Sequence, residues 1–267
     1  LVCFEIEKQT HNDDIVIYLT NIPPIIRHKC KSVLMLQNRF VIDYFSLSGF
    51  SILTKIRINV EKILFFINKN NVDYIVVQSN SMSSVLQKKG FDKNKLLIIA
   101  YKNIDELEKL TNVNHQRQNN IFLYVSSDDP HKNHKNLIEA WCLLSEENIF
   151  PKLILTIDKN TSLYSSIINK VEKYGLNVDI IPNLERKKIL NLYKQSTALI
   201  FPSFFESYGL PLVEANHYKL PVIASELDYV RDILDPVETF DPNSAKSISR
   251  SVKRFLKIKE KKTDIVA

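Results

Sequence analysis

From residue 121 onward, short apolar runs rich in β-branched residues alternate with longer segments of helical period. That alternation leaves few folds open besides β-α-β units wound around a parallel sheet. Residues 121–126 read as a strand, 136–144 as a helix, 152–157 as a strand and 162–174 as a helix, with Gly175 placed to cap its carboxyl end. Residues 178–181, 198–201 and 221–224 supply further strands, and 185–195 and 212–218 further helices. Together these make a complete doubly wound domain, in which ligands bind beyond the carboxyl ends of the strands. Before residue 100 the same alternation is weaker: 15–19, 33–36, 74–77 and 96–99 are strand-like and 56–67 is helix-like. The polar, unpatterned stretch 111–120 reads as a linker, dividing the chain into a partial first domain, 1–111, and a second domain, 112–267. The small first sheet and a first residue that is Leu lead to the expectation that the first domain is truncated at its amino end. Residues 253–262 read as a basic, solvated terminal helix.

Composition narrows the chemistry. Hydrophobic residues at 45% and charged residues at 25% exclude a disordered or collagen-like chain. With only 4 glycines, and neither a Walker pattern nor G-x-G-x-x-G, any phosphate site must be built without a glycine-rich loop. Cys3, Cys30 and Cys142 are odd in number and far apart, which argues against a disulfide framework or a zinc site and fits a reducing cytoplasm. The apolar runs are strand-length and the start lacks the layout of a signal peptide. A net charge of +6 suits anionic partners, whether phosphates, nucleic acid or an acidic lipid surface. No recognition-helix or aromatic-stacking motif supports nucleic acid.

The segment 201–215 carries the chemistry. A buried strand ends at Phe201, a loop bears Glu206, and Pro211 stands in the first turn of a helix opening near Gly209 and Leu210. The amides and positive dipole end of that helix would point beyond the sheet's carboxyl edge, a ready anion site. Glu206 precedes this end and Glu214 lies one turn inside it, each able to accept paired hydroxyl donors from a sugar or a ribose. The opposing reading leaves Glu214 as a complement to the helix dipole and Glu206 as a surface loop residue. A second cluster, 127–136, places Lys132 just before a helix at the same edge, where its ammonium could neutralise a diphosphate; against this stands a capping loop with incidental lysines. His131 and His134 lack a third metal ligand nearby.

The run PSFFESYGLPLVEANHYKLPVIAS, 202–225, with two glutamates separated by seven residues and a P-V-I-A strand after them, resembles the hallmark of the family-4 retaining glycosyltransferases of the GT-B superfamily. The strand ending at Ser126 with its His131-Lys132-Asn133 loop, and the order of helix 185–193 and strand 198–201, are similar to that family too. The resemblance implies an α/β, GT-B-like fold of two Rossmann-like domains with parallel sheets. It also implies that Glu214 holds the ribose hydroxyls, Glu206 contacts the donor sugar near the reacting carbon, and Lys132 holds the diphosphate. Backbone amides around Ser207, Tyr208, Gly209 and Leu210 would bind sugar and phosphate, Pro182, Asn183 and Leu184 would line the base pocket, and Ser126 joins the donor-binding set. The implied reaction is retaining transfer from a nucleoside-diphosphate sugar to a glycan or lipid-linked acceptor in assembly of a surface polysaccharide such as an O-antigen. No cofactor or metal beyond the donor is implied. Such an enzyme is expected in the cytoplasm, with peripheral contact to the anionic inner membrane face. A GT-B nucleotide-sugar epimerase and a non-catalytic, nucleotide-sugar-binding remnant are the alternatives. Three departures from the family pattern stand out: Ser126-Ser127-Asp128 replaces a Gly-Arg pair, Gln37-Asn38-Arg39 follows the strand where a His is common, and no amino-terminal glycine-rich loop is visible.

Overall fold

The computed structural model describes residues 2–99, 119–182 and 184–258. The chain divides into two compact units, Leu1–Lys102 with Glu206–Tyr208, and Asn103–Phe205 with Gly209–Ala267. Most of the expected linker, 111–118, lies outside the described residues; Asn119 and Asn120 form a turn into the first strand of the second unit.

In the first unit the strands β1 (Ile15–Tyr18), β2 (Lys31–Met35), β3 (Tyr74–Val77) and β4 (Leu96–Ile98) form a parallel sheet in the order β1-β2-β3-β4. The helices are α1 (Val2–Gln9), α2 (Ile52–Asn68) and α3 (Asn80–Lys88). Leu34, Ile75 and Val77 from the strands, Phe65 from α2 and Met82 and Leu86 from α3 form one buried cluster. Side-chain caps set two helix starts: Ser51 accepts from the Thr54 amide and Ser79 from the Met82 amide. The Ser51 cap explains why α2 begins four residues ahead of the apolar pattern that identified it. α3 escaped the sequence reading because its first turns are serine-rich.

The second unit carries six parallel strands: β5 (Ile121–Tyr124), β6 (Lys152–Leu155), β7 (Val178–Ile180), β8 (Ala198–Phe201), β9 (Val222–Ser225) and β10 (Glu238–Phe240), in the order β10-β9-β8-β5-β6-β7. Its helices are α4 (His134–Glu146), α5 (Ser162–Tyr174), α6 (Arg186–Gln195), α7 (Leu210–His217), α8 (Asp228–Arg231) and α9 (Ala245–Phe255). Strands β5, β8 and β9 are buried at every position, which is why they read as unbroken apolar runs rather than alternating ones. Trp141 of α4 is 1% exposed, donates from its indole to the Pro151 carbonyl at 2.9 Å and meets the Phe122 ring edge-on. The Gly175 cap is present at φ +58, its amide bonded to the Val171 carbonyl. From β5 the strands run outward one way through β6 and β7 and the other way through β8, β9 and β10. The order therefore reverses between β5 and β8, and the loops leaving those two strands flank the crevice of the switch point.

Three sequence expectations need correction. The sheet has a sixth strand, β10, which is too short and too polar to give a periodic signal and which pairs only along the β9 edge. α7 runs from Leu210 to His217: the opening read at Gly209 and Leu210 holds and the start at 212 given by the apolar pattern does not, because Pro211 is accommodated in the first turn. The basic segment from 253 is not a solvated terminal helix where it is described: Lys253 closes α9, is 7% exposed and pairs with Glu147 at 2.9 Å. Residues 259–262 of that segment lie outside the described residues.

Beyond α7, Lys219 occupies the left-handed region at φ +50 while the Leu220 amide bonds back to the Ala215 carbonyl. A side chain with a Cβ is strained there, and glycine is the residue that such helix ends favour. We predict that Lys219→Gly raises stability by about 0.5–1 kcal/mol, measured as an increase in the denaturant midpoint at unchanged m-value.

Candidate functional site

The two switch-point loops are stitched together by buried hydrogen bonds. After β5 the chain makes a short 3-10 turn, Pro130–Lys132, and then Asn133 adopts φ +61 ahead of α4. Asn133 is 3% exposed, and its side-chain amide donates to the Pro202 carbonyl at 3.0 Å and the Pro242 carbonyl at 2.7 Å. Asn136 donates to the same Pro242 oxygen at 2.9 Å. The Tyr124 hydroxyl donates to the Lys132 carbonyl at 2.7 Å, so the 3.0 Å contact with Ser203 Oγ is one in which the serine donates. The Ser203 carbonyl accepts from Ser225 Oγ at 3.0 Å and from the Tyr229 hydroxyl at 2.8 Å. The Phe204 amide reaches the His131 carbonyl at 2.9 Å, and the His131 ring stacks on Phe205. These bonds fix the turn that carries Lys132 against the loop that leads to α7.

That loop ends at Gly209, whose φ of +81 opens α7. A Cβ at this position would lie 3.2 Å from a Leu212 methyl and 3.3 Å from an Ile233 methyl, so both backbone angle and space favour glycine. Pro211 has no N–H and the Leu212 amide bonds the Gly209 carbonyl at 2.9 Å, which leaves the amides of Gly209 and Leu210 to open the helix. With the positive end of the helix dipole, they are donors that suit an anion and need no glycine-rich loop.

Glu214 lies one turn into α7 and is 1% exposed. Its Oε1 stands 2.5 Å from Nη1 of Arg186, the first residue of α6. The contact is an ion pair between a buried acid and a half-exposed guanidinium. Tyr193 of α6 and Tyr218 after α7 stack nearby, with ring centroids 6.0 Å apart. Burial, reinforced by the adjacent Glu214 carboxylate, drives the Tyr193 phenol well above its ordinary range.

The remaining candidates are distributed as follows. Glu206, 9% exposed, groups with Ser207 and Tyr208 in the first unit, whereas Glu214, Gly209, Leu210 and Lys132 belong to the second. Burial raises the Tyr208 phenol. Leu210 is 39% exposed at the mouth of its helix. Ser126 Oγ lies 3.0 Å from Nε2 of the buried His134. Leu184 is half-buried beyond β7, and Asn183 lies outside the described residues. Arg186, Asn133, Ser203 and Tyr193 were assigned no role from sequence. Asn133 alone had a local signal, as the residue directly before a helix whose type tolerates a left-handed backbone. Among the described residues no group of three or more His, Cys, Asp or Glu side chains could hold a metal ion.

Known proteins agree with this architecture. The order of the six-stranded sheet is that of a doubly wound α/β domain, a fold the chain shares with solved glycosyltransferase structures. The TarM crystal structure superposes with a TM-score of 0.68 over 95% of this chain and 50% of that one, at 18% identity. Anabaena Alr3699/HepE in complex with UDP and glucose gives 0.65 over 96% of this chain and 72% of that one, at 15% identity. Residues 105–267 match the family of glycosyl transferases group 1, and the chain belongs to that family. The serotype-specific mannosyltransferase WbdA of Escherichia coli is 29% identical over 147 residues, covering 52% of this chain and 17% of that protein. The O-antigen chain mannosyltransferase RfbU of Salmonella typhimurium is 23% identical over 182 residues, covering 68% of this chain and 50% of that protein. The chain thus spans half or less of the length of these two relatives.

Two predictions follow from the stitching. Asn133→Ala strands the buried Pro202 carbonyl, leaves the Pro242 carbonyl to Asn136 alone and keeps a left-handed backbone, so it should cost on the order of 1–3 kcal/mol in denaturant unfolding. The second concerns pH. Burial first, then the Lys132 ammonium, lowers the His131 imidazole to about 4 and the His134 imidazole to about 3 from 6.5. Both stay neutral when folded, whereas the unfolded chain takes up protons below 6.5. Their contribution is therefore complete above that pH and is lost as pH falls toward 4, at up to about 1.4 kcal/mol per pH unit for each ring. Unfolding measured at pH 7 and pH 5 should show this slope, and His134→Asn should flatten it.

Proposed function

We propose that the chain is the donor-binding portion of a retaining glycosyltransferase that moves a sugar from a nucleoside-diphosphate sugar to a glycan acceptor during assembly of a surface polysaccharide. One observation supports this reading: the loops that leave β5 and β8 at the switch point carry Lys132 and the opening of α7, with Glu214 buried one helical turn in. An activated sugar needs these three groups. The amides of Gly209 and Leu210, with Lys132, would hold the diphosphate, and Glu214 would accept hydrogen bonds from the ribose hydroxyls. Charge that develops on the departing nucleoside diphosphate would meet preorganised dipoles and an ammonium, the arrangement that stabilises such transition states most effectively. Glu206, Ser207 and Tyr208, which group with the first unit, are the residues that the family resemblance assigns to the donor sugar. Ser126, Asn183 and Leu184 complete the donor-binding set, and no divalent ion takes part.

Family membership and relatives named as mannosyltransferases, RfbU among them for the O-antigen chain, support the substrate class. A lipid-linked acceptor would place the enzyme at the inner membrane face. Among the described residues no helix is long and apolar enough to cross a membrane, and the net charge of +6 favours peripheral contact with anionic lipid instead.

The test is a thermal-shift series with UDP, GDP and their sugars. A nucleotide at a hundred times its Kd should stabilise the native state by about 2.7 kcal/mol, and Glu214→Ala should abolish the effect. Absence of a shift with every nucleotide would refute the site. With a turnover assay in hand, adding a chelator should leave the rate unchanged; loss of turnover that magnesium or manganese restores would exclude the metal-free scheme.

A further inference from the structure

We infer that the outward side of α2 is a docking surface for anionic lipid, which lays a stripe of aliphatic side chains flat into the bilayer interface. This surface gives the peripheral contact of the proposed function a place and a mode. It rests on that reading for its membrane and owes nothing to the donor site.

Ile52, Leu53, Ile56, Val60, Ile63 and Ile67 are between 46% and 80% exposed. At the α-helical period the six share one arc about 100° wide, the width of a face that a surface helix normally turns to its core. Here that face looks outward. The stripe runs for about 22 Å along the helix axis. The other side of α2 is already engaged: Ile58, Phe65 and Asn68 are buried, and Phe65 belongs to the core cluster with Leu34, Ile75 and Val77. The helix therefore cannot roll to hide the stripe, and no described residue covers it. Single exposed aliphatics need no explanation, but contiguous apolar patches mark protein or membrane contacts.

Charge selects the occupant. Glu61 is the one acid of α2; it lies outside the stripe and pairs with Arg57 at 3.7 Å. Cations border the stripe, Arg57 along one flank and Lys55 and Lys62 along the other. Lys89, which closes α3, joins the second flank. The ammonium groups of Lys62 and Lys89 stand 4.2 Å and 4.4 Å from the ring centroid of the exposed Tyr44, and Lys89 also reaches the Phe66 ring. Burial, and then the neighbouring Lys89 charge, lowers the Lys62 ammonium. Lipid phosphates between these two cations would relieve that repulsion. Aliphatic groups in the centre, a tyrosine at the rim and lysines whose stems lie along apolar surface while their heads reach phosphate make up an interfacial helix.

The competing occupant is a second copy of the chain. Leu53, Ile56, Val60, Ile63 and Ile67 follow the alternating three- and four-residue spacing of a helix-pairing seam. Such a pair needs opposite charges beside the seam, and α2 offers none on either flank, so two copies would bring cations to cations. An anionic membrane supplies the missing sign along the whole stripe.

The experiment is flotation of the full chain with vesicles of phosphatidylcholine alone and of an equal mixture of phosphatidylcholine and phosphatidylglycerol. The chain should bind the mixed vesicles at least ten-fold more tightly. Ile56→Glu with Ile63→Glu should weaken that binding ten-fold or more, and Lys55→Gln with Lys62→Gln about ten-fold, as added salt should also do. No flotation with mixed vesicles overturns the proposal, as does flotation that the glutamate pair leaves unchanged. The single tryptophan, Trp141, is buried, so Ile63→Trp adds a reporter on the stripe. Its emission should shift to the blue with mixed vesicles; a protein that floats while this emission stays unmoved binds by another face and refutes the assignment. This readout also serves if the glutamate pair fails to fold. A wild-type dimer in sedimentation equilibrium that the glutamate pair dissolves would give the surface to a second copy and overturn the membrane assignment. A chain that floats but binds no nucleotide loses the donor site and keeps this surface, whereas one that binds nucleotide without floating does the reverse.

Discussion

The arrangement of the candidate site depends on one buried side chain. Asn133 sends both amide protons to proline carbonyls, Pro202 on the loop after β8 and Pro242 beyond β10. A proline carbonyl is an acceptor on a residue that has no N–H of its own. A hydroxyl could bond only one of these oxygens at a time, and an aliphatic side chain would strand the Pro202 oxygen and leave Pro242 to Asn136 alone. Without this tie the Lys132 turn and the α7 loop would be joined mainly by the Phe204 amide and the Tyr124–Ser203 contact. Lys132 and the helix terminus could then drift by the fraction of an ångström that separates a preorganised charge site from a loose one.

Above that tie, the fold makes an anion site from ordinary backbone. The chain holds only 4 glycines, and all of them stand at positive φ. Gly209 is the one at the site, and there the positive φ together with two crowding methyls favours glycine. In the proposed site the groups offered to a phosphate are set by where α7 begins relative to the sheet, not by a glycine-rich loop. This explains how so glycine-poor a chain can carry such a site.

Much of this was legible in advance. The strands β5, β6, β8 and β9 announced themselves as apolar runs, and Gly175 and Pro211 punctuated helices where their backbone restrictions require. The pair Glu206 and Glu214 stood out by spacing. What escaped detection shares one physical property: it depends on partners far away in sequence. Arg186 reads as one more lysine-like surface residue until α6 and α7 are packed side by side. Ser203 and Tyr193 look like routine polar and aromatic residues of a loop and a helix. Lys253 went wrong for the same reason, because Glu147, which draws it inward, lies 106 positions away. Local pattern fixes elements, whereas charge pairing and buried hydrogen bonds belong to the assembled sheet.

The carbonyl of Pro242 has a consequence for how such a chain comes into being. It accepts from both Asn133 and Asn136, yet it emerges from the ribosome more than a hundred residues after them. A nascent chain that has completed β5 through β9 already possesses its crevice but not the anchor that steadies it. During that interval the Lys132 turn is held from one side only, and it is a point where holding chaperones or proteases would find purchase. Synthesis of the last, least conspicuous strand is what brings that exposure to an end.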